Sequence, residues 1–211
     1  MHALQIVARC ENDEATGETN MPADRTRAPR LPLLGVALLA ATASTGTALA
    51  ADPFVLVAYS NRTGGEKLAS GDYGNAAQSL YTQTSAGLTS DPEALSTNRC
   101  VAYAMTRQLE RAHRACDDAV RQAQATDGVL ALWNPQVQSQ NSEAQAVAYS
   151  NRAVLHWLDA DPSGAQADLA RARALAPEAA FVQRNLQAMQ LHQAGENRTA
   201  ATARIAPAAQ E

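Results

Sequence analysis

Small and apolar residues recur at helical spacing through residues 146–179. Counting forward from Asn151, the positions that share this spacing are Ala153, Ala165, Leu169 and Ala172, and Pro177 closes the segment. Residues three or four apart lie on one face of a helix, and the stretch 159–164 between the two apolar runs is rich in turn-forming residues. The pattern therefore predicts a helix, a short turn and a second helix that packs back on the first.

The same frame occurs earlier in the chain. Starting from Asn98, the equivalent positions hold Cys100, Ala112, Cys116 and Ala119, and the dipeptide Asn98-Arg99 matches Asn151-Arg152. Adding 34 to Asn151 reaches Asn185, which lies in an amphipathic segment, 180–192, with no second helix after it. A pattern that recurs with its surroundings indicates a structural repeat rather than a chance match.

A period of 34 residues, with small residues where helices cross and a closing proline, resembles the tetratricopeptide repeat. The resemblance covers about 65–193, is strongest at 146–179 and extends to 93–126. An earlier unit is suggested by Gly71-Asp72-Tyr73 followed by small and apolar residues. The family tryptophan is absent, and Gln124 stands where the second unit should close with proline.

The resemblance implies an all-α fold, a short α-solenoid of antiparallel helix pairs. About three units would stack on one another, because each pair has an apolar face that it cannot bury alone. The segment 181–192 would act as a C-terminal capping helix. The tail 194–211, rich in Ala with Arg, Thr and Asn, is expected to be disordered.

The distance from Asn98 to Asn151 is 53 residues rather than 34, so the repeat frame requires an insertion of 19 residues, placed at 126–144. It begins with an apolar run, 128–133, and continues through Asn134-Pro135 into a polar stretch. The pair Asn134-Pro135 predicts a turn, and Asn141-Ser142 is expected to cap the next helix. We hypothesise that Leu130, Leu132 and Trp133 fold against the domain, over its groove.

The N-terminal fifty residues have the pattern of an export signal. Arg25, Arg27 and Arg30 precede an apolar stretch, 31–41, and a small-residue region ends in Ala48-Leu49-Ala50. This order of basic, apolar and small residues is typical of a signal peptide cleaved after an A-x-A site. It predicts cleavage after Ala50 and a periplasmic or secreted product; an uncleaved membrane anchor is the alternative.

Residues 1–20 are polar and acidic and do not fit the start of a signal peptide, which we assign to 21–50. We hypothesise that Met21 is the true start and that 1–20 are an over-extended gene start. After cleavage the chain would begin with a segment, 51–64, in which the β-branched run 54–59 looks extended. No later stretch is long and apolar enough to predict a membrane span.

Charge argues against a nucleic-acid partner. The whole chain has 17 Lys and Arg against 21 Asp and Glu. Removing the four arginines and five acidic residues of 1–50 leaves 13 basic and 16 acidic residues, a net charge of about −3. A chain without a basic excess lacks the electrostatic footprint of DNA or RNA binding.

Two cysteines, Cys100 and Cys116, remain after cleavage, one in each helix of the same predicted hairpin. They are equidistant from the turn, so they should face each other, and exported compartments are oxidising. This predicts a disulfide; two buried thiols that fill space as small apolar groups are the alternative. A redox-active pair is disfavoured because the spacing is not C-x-x-C.

The pattern favours a binding protein over an enzyme. No nucleophile or metal constellation is recognisable, and the histidines after residue 50, His113, His156 and His192, are scattered without metal-ligand spacing. We therefore expect no catalytic residues, no cofactor and no metal.

The tetratricopeptide resemblance implies that the first helix of each unit lines a concave groove that holds a peptide or protein partner. The groove positions it implies are Asn98, Val101, Met105, Asn151, Val154, Trp157, Phe181, Arg184 and Asn185. The three asparagines either bind ligand backbone or bond to neighbouring repeats. The function expected is protein–protein interaction through this groove; the alternative is a structural or envelope-assembly subunit that acts through its outer surface.

Overall fold

The computed structural model describes residues 3–8, 54–83, 91–125 and 134–205. Within these residues the chain forms two strands and seven helices. They are β1 (Ala3–Ala8), β2 (Phe54–Tyr59), α1 (Gly65–Ala69), α2 (Tyr73–Tyr81), α3 (Pro92–Met105), α4 (Leu109–Ala125), α5 (Pro135–Leu158), α6 (Pro162–Leu175) and α7 (Ala180–Ile205). The chain is mostly helical, as expected, with a small sheet that the expected all-α class does not include.

Side-chain caps fix where four of the helices begin. Asp72, Asp91, Asn134 and Asp161 each accept a hydrogen bond from a backbone N–H in the first turn of the helix that follows. Helices α3, α5 and α6 also start with proline, whose missing N–H would have no partner inside the helix. The local sequence therefore favours helix starts at these positions.

The two hairpins α3–α4 and α5–α6 are built alike. Arg107 and Ala160, each nine residues after the repeat asparagine, adopt left-handed backbone with φ of 56° and 58°, and the chain reverses there. The eight small or apolar positions of the shared frame, from Cys100 to Ala172, are all at most 1 % exposed. Small side chains at these positions let the paired helices approach closely.

Strand β2 lies at the centre of the packing. It pairs antiparallel with β1, with Ile6 opposite Leu56, and all six of its residues are buried. Phe54, Leu56 and Ala58 belong to one apolar cluster, and the side chains that alternate with them, Val55 and Val57, belong to another. A strand buried on both faces is continuously apolar, which explains the run FVLVAY.

The predicted boundary of the insertion is wrong at its C-terminal end. Helix α5 begins at Pro135, so Asn134-Pro135 starts a helix instead of forming a turn, and Asn141 lies within it. The reason is local, because the Asn134 side chain accepts from the N–H groups of Gln136 and Val137 and caps the helix there. The apolar run 128–133, with Leu130, Leu132 and Trp133, lies outside the described residues.

The prediction that residues 194–211 are disordered is wrong as far as Ile205. Helix α7 runs from Ala180 to Ile205 and is twice as long as the expected capping helix 181–192. Alanine and arginine, which have high helix propensity, supply six of the thirteen residues of 193–205, and the single Gly195 costs only about 1 kcal/mol relative to alanine. Residues 206–211 lie outside the described residues, as does the expected signal peptide, 21–50.

A disulfide links α3 and α4, the two helices of the first hairpin. Cys100 on α3 and Cys116 on α4 are bonded, with their Cα atoms 4.7 Å apart. The pairing predicted from the positions of the two cysteines about the turn is confirmed.

Replacing both cysteines by alanine should lower the free energy of unfolding by about 2–3 kcal/mol, because the bond restricts the unfolded chain. Urea denaturation followed by far-UV circular dichroism measures this change. Wild-type protein treated with reductant is the matched control and should lose a similar amount. A double variant as stable as the oxidised wild type would show that the bond contributes nothing.

Candidate functional site

Three asparagine side chains hold the backbone of β2. Asn185 accepts from Val55 N at 2.7 Å and donates to Val55 O at 2.8 Å. Asn151 makes the same pair of bonds with Val57, both at 2.8 Å, and Asn98 makes it with Tyr59, at 2.8 and 3.0 Å. The side-chain amide of each asparagine thus satisfies both backbone groups of one strand residue.

The shared sequence frame places these asparagines in a row. They lie on α3 and α5, the first helices of two successive pairs, and on α7, the helix that follows, and they contact every second residue of the strand. Alternate residues of a strand direct their N–H and C=O groups to the same edge, so one edge of β2 is closed by side-chain amides. The strand runs from α7 towards α3, opposite to the order of the helices.

Two of the asparagines also make bonds beyond the strand. Asn185 donates to the hydroxyl of Ser150 on the neighbouring helix α5, and Asn98 donates to the carbonyl of Thr63 in the loop after β2. Asn185 therefore combines the two predicted roles, since it binds an extended backbone and also bonds to a neighbouring helix. The three side chains are at most 1 % exposed, so none of these bonds competes with bulk water.

The predicted apolar groove residues surround the same strand. Val101 and Val154 are fully buried, and Met105 and Trp157 pack against the cluster that contains Phe54, Leu56 and Ala58. Phe181 is buried in the second cluster, with Val55 and Val57. The structure therefore brings the predicted groove residues together, but the chain's own strand fills the space that they enclose.

Aromatic rings close the groove around Phe54. The Phe54 ring lies 5.4 Å from Trp157 and 5.6 Å from His192, and its plane is within 5° of that of the histidine. Offset and tilted ring pairs at these distances stabilise by about 0.5–1.5 kcal/mol beyond their burial. Trp157 is thus both a core residue and a direct contact of the strand.

Arg184 is the one predicted groove residue that is exposed. It lies on α7, one residue before Asn185, and its Nη1 donates to Gln5 Oε1 of β1 at 3.0 Å. It therefore contacts the outer strand of the sheet rather than β2. This places a positive charge beside β1, which pairs with the edge of β2 that the asparagines do not contact.

The two side chains of the Asn-Arg dipeptide contact different parts of the structure. While Asn98 and Asn151 bind β2, Arg99 donates to Leu80 O at the end of α2, and Arg152 donates to Asp117 on α4. In both cases the arginine contacts the second helix of the preceding pair. The dipeptide thus joins the strand to the stacking of the helices.

The buried carboxylate that Arg152 binds was not predicted. Asp168 on α6 is 2 % exposed, and Arg152 donates to both of its oxygens, at 2.6 and 3.0 Å. A bidentate pair of this kind satisfies a carboxylate that would be costly to bury alone. Because Asp168 falls beside the frame position Leu169, helical spacing does place it near the buried face.

A second buried carboxylate lies at the end of β2. Tyr59 Oη donates to Glu93 Oε1 at 3.1 Å, and both residues are buried. Burial raises the pKa of Glu93 above its ordinary value; the bond from Tyr59 opposes this shift and the Asp91 carboxylate adds to it. Burial, together with the Glu93 carboxylate, also raises the pKa of Tyr59, which stays protonated and able to donate.

The histidines belong to ion pairs and ring contacts. His113 contacts Asp159 at 2.8 Å, His156 contacts Asp161 at 2.9 Å, and His192 stacks on Phe54. Among the described residues no group of three or more potential ligands is arranged to hold a metal ion. In that same part of the chain, no helix combines the length and apolarity needed to cross a bilayer.

Comparison with known proteins adds no assignment. No protein-family model, no curated protein and no solved structure matches this chain. The features that bear on its function are the strand, the three asparagines and the surface around them.

Replacing Asn151 by leucine should lower the free energy of unfolding by about 2–5 kcal/mol, because it leaves the buried N–H and C=O of Val57 without partners. Denaturant titration measures the loss. Asn197→Leu, the same change at an exposed position of α7, is the matched control and should stay within about 0.5 kcal/mol of wild type. Equal effects of the two substitutions would contradict the assigned role of Asn151.

Glu93 should make stability depend on pH. Its pKa is raised in the folded state from an ordinary 4.5, so the folded protein binds more protons than the unfolded chain above that pH. Stability attributable to Glu93 is therefore fully present below pH 4.5 and is lost as pH rises through the folded-state pKa. Glu93→Gln keeps an acceptor for Tyr59 and serves as the reference. The free energy of unfolding of wild type minus that of Glu93→Gln should be lower at pH 7 than at pH 4. Denaturant titrations of both proteins at several pH values measure this, and a constant difference would contradict it.

Proposed function

We propose that this chain is an exported, non-catalytic module of tetratricopeptide type that binds a peptide or protein partner through its concave groove. The observation that carries the proposal is the row of asparagines on α3, α5 and α7, which holds an extended backbone. The matching hairpins, with left-handed residues at equivalent positions and buried small residues throughout the frame, support a short solenoid of stacked repeats.

Recognition through the backbone suits a module that binds extended segments. A side-chain amide carries a donor and an acceptor, so it matches the N–H and C=O of one residue whatever side chain that residue has. Main-chain bonds of this type provide affinity, and pockets for alternate side chains provide selectivity. Strand β2 occupies the groove in this way, with the backbone of three of its six residues bound by the asparagines.

We further propose that residues 21–50 are a signal peptide cleaved after Ala50, which places the product in the periplasm or outside the cell. The Cys100–Cys116 disulfide supports this location, because disulfides form and persist in oxidising compartments. Translation from Met1 or from Met21 would give the same processed chain.

A second candidate function is that of a structural or envelope-assembly subunit that acts through its outer surface. The observation in its favour is that β2 already fills the groove. The outer face of α4 offers a different surface, with exposed ion pairs between Glu110 and Arg114 and between Asp118 and Arg121. Pairs of this kind contribute little to stability, so the face is free to be changed without unfolding the protein.

Charge reversal at two exposed arginines separates the two functions. The tagged, exported protein is crosslinked in cells, and the recovered partners are quantified by mass spectrometry. If the groove binds the partner, Arg184→Glu should reduce the recovery of the partner by about tenfold or more. The guanidinium that would donate to an acceptor on the partner is then replaced by a carboxylate that repels it. Arg114→Glu, on the outer face of α4, should leave recovery unchanged. Loss with Arg114→Glu alone would favour the outer-surface function and contradict the groove.

A further inference from the structure

The two edges of β2 are closed by different parts of the chain. The asparagines bond to Val55, Val57 and Tyr59, so the N–H and C=O groups of Phe54, Leu56 and Ala58 are directed to the opposite edge. Strand β1, residues 3–8, pairs with that edge, and its residues Leu4, Ile6 and Ala8 lie opposite Ala58, Leu56 and Phe54. Beyond β1, the described residues contain no further strand.

Cleavage after Ala50 would remove β1 and keep β2. The asparagine bonds and the two apolar clusters would still hold β2 in the groove, because among the side chains that the structure describes they involve residues after 53 and, from β1, Ile6 alone. The edge bearing the backbone groups of Phe54, Leu56 and Ala58 would lose its partner. An unpaired strand edge is a ready template for another strand.

We propose that the processed chain binds an extended segment of a separate exported protein as an antiparallel strand on β2, in the place that β1 occupies. This inference rests on the proposed cleavage and groove function and specifies where the partner binds. In a chain translated from Met1 and not cleaved, β1 occupies the same site and blocks it.

The residues of β1 show what the partner segment should contain. Ile6 is 5 % exposed and packs in the cluster of Phe54 and Leu56, so an aliphatic residue belongs at its position. Gln5 accepts from Arg184, so the preceding residue should carry an acceptor. A carboxylate would bind the guanidinium more strongly than an amide does, which favours Glu or Asp followed by Ile, Val or Leu.

A second copy of this chain would fit the same edge less well. In an antiparallel pair of two β2 strands, the position of Gln5 would be taken by a residue from the run FVLVAY. That run contains no carboxylate or amide, so Arg184 would lose its acceptor. Charge complementarity therefore favours a different protein as the partner.

Synthetic peptides test the inference directly. The processed chain is purified from the periplasm of producing cells, and its N-terminus at Ala51 and its cooperative melting are verified. Fluorescently labelled ALQIVA, the sequence of β1, should bind it, and ALEIVA should bind about tenfold more tightly. Arg184→Ala should abolish the advantage of ALEIVA without changing the melting of the protein.

Two N-methylated peptides distinguish strand pairing from apolar contact. Methylation at the isoleucine of ALQIVA removes an N–H directed at β2 and should weaken binding by about tenfold or more. Methylation at the glutamine, whose N–H is directed away from β2, should change affinity far less. Equal effects of the two methyl groups, or no binding by ALQIVA and ALEIVA, would overturn the inference.

The unprocessed chain provides a control that does not depend on cleavage. Wild-type full chain should bind ALQIVA at least about tenfold more weakly than the processed chain, and Ile6→Asp, which weakens β1, should restore binding.

If the processed chain forms a dimer that ALEIVA does not dissociate, the edge binds a second copy of the chain and the inference is overturned. If Arg184→Glu reduces the recovery of crosslinked partners but neither peptide binds the processed chain, this inference alone is refuted. If the peptides bind but Arg184→Glu does not change the recovery of partners, the groove function in cells is refuted.

Discussion

Three asparagine amides bind the backbone of β2, and the packing of the helices is organised around these hydrogen bonds. A strand buried on both faces must pair the N–H and C=O groups of both its edges, or it loses more free energy than its apolar side chains gain. Here the helices pair one edge through side chains that recur in the repeat frame. Stacking of the helix pairs and burial of the strand are therefore parts of the same arrangement, and neither is complete without the other.

The repeated Asn-Arg dipeptide shows how a short sequence unit serves that arrangement. On α3 and α5, the asparagine binds the strand and the arginine binds the preceding pair, at Leu80 in one unit and at Asp117 in the next. The disulfide adds a covalent link between α3 and α4, next to Asn98. Asn185 is preceded, not followed, by arginine, so Arg184 is free of that stacking role and is directed at the outer strand. This departure from the repeat occurs where the proposed partner binds.

Much of the site could be predicted from sequence because it is periodic. The frame located the asparagines, the crossing residues and the two cysteines, since each is fixed by its distance from a turn. The occupant of the groove was missed, because nothing in helical spacing says which extended segment lies across it, although the continuous apolar run 54–59 is typical of a strand buried on both faces. The errors at Asn134 and beyond residue 193 arose where local capping and alanine propensity extend helices past the repeat frame.

Residue-specific amide hydrogen exchange, measured on the processed chain, shows whether the asparagines hold β2. If the asparagines hold β2 in the groove, the amides of Val55, Val57 and Tyr59 should exchange slowly, close to the rate set by global unfolding. The amides of Leu56 and Ala58, on the open edge, should exchange much faster. Fast exchange at Val55, Val57 and Tyr59, equal to that of their neighbours, would show that the asparagines do not hold the strand and would contradict the account.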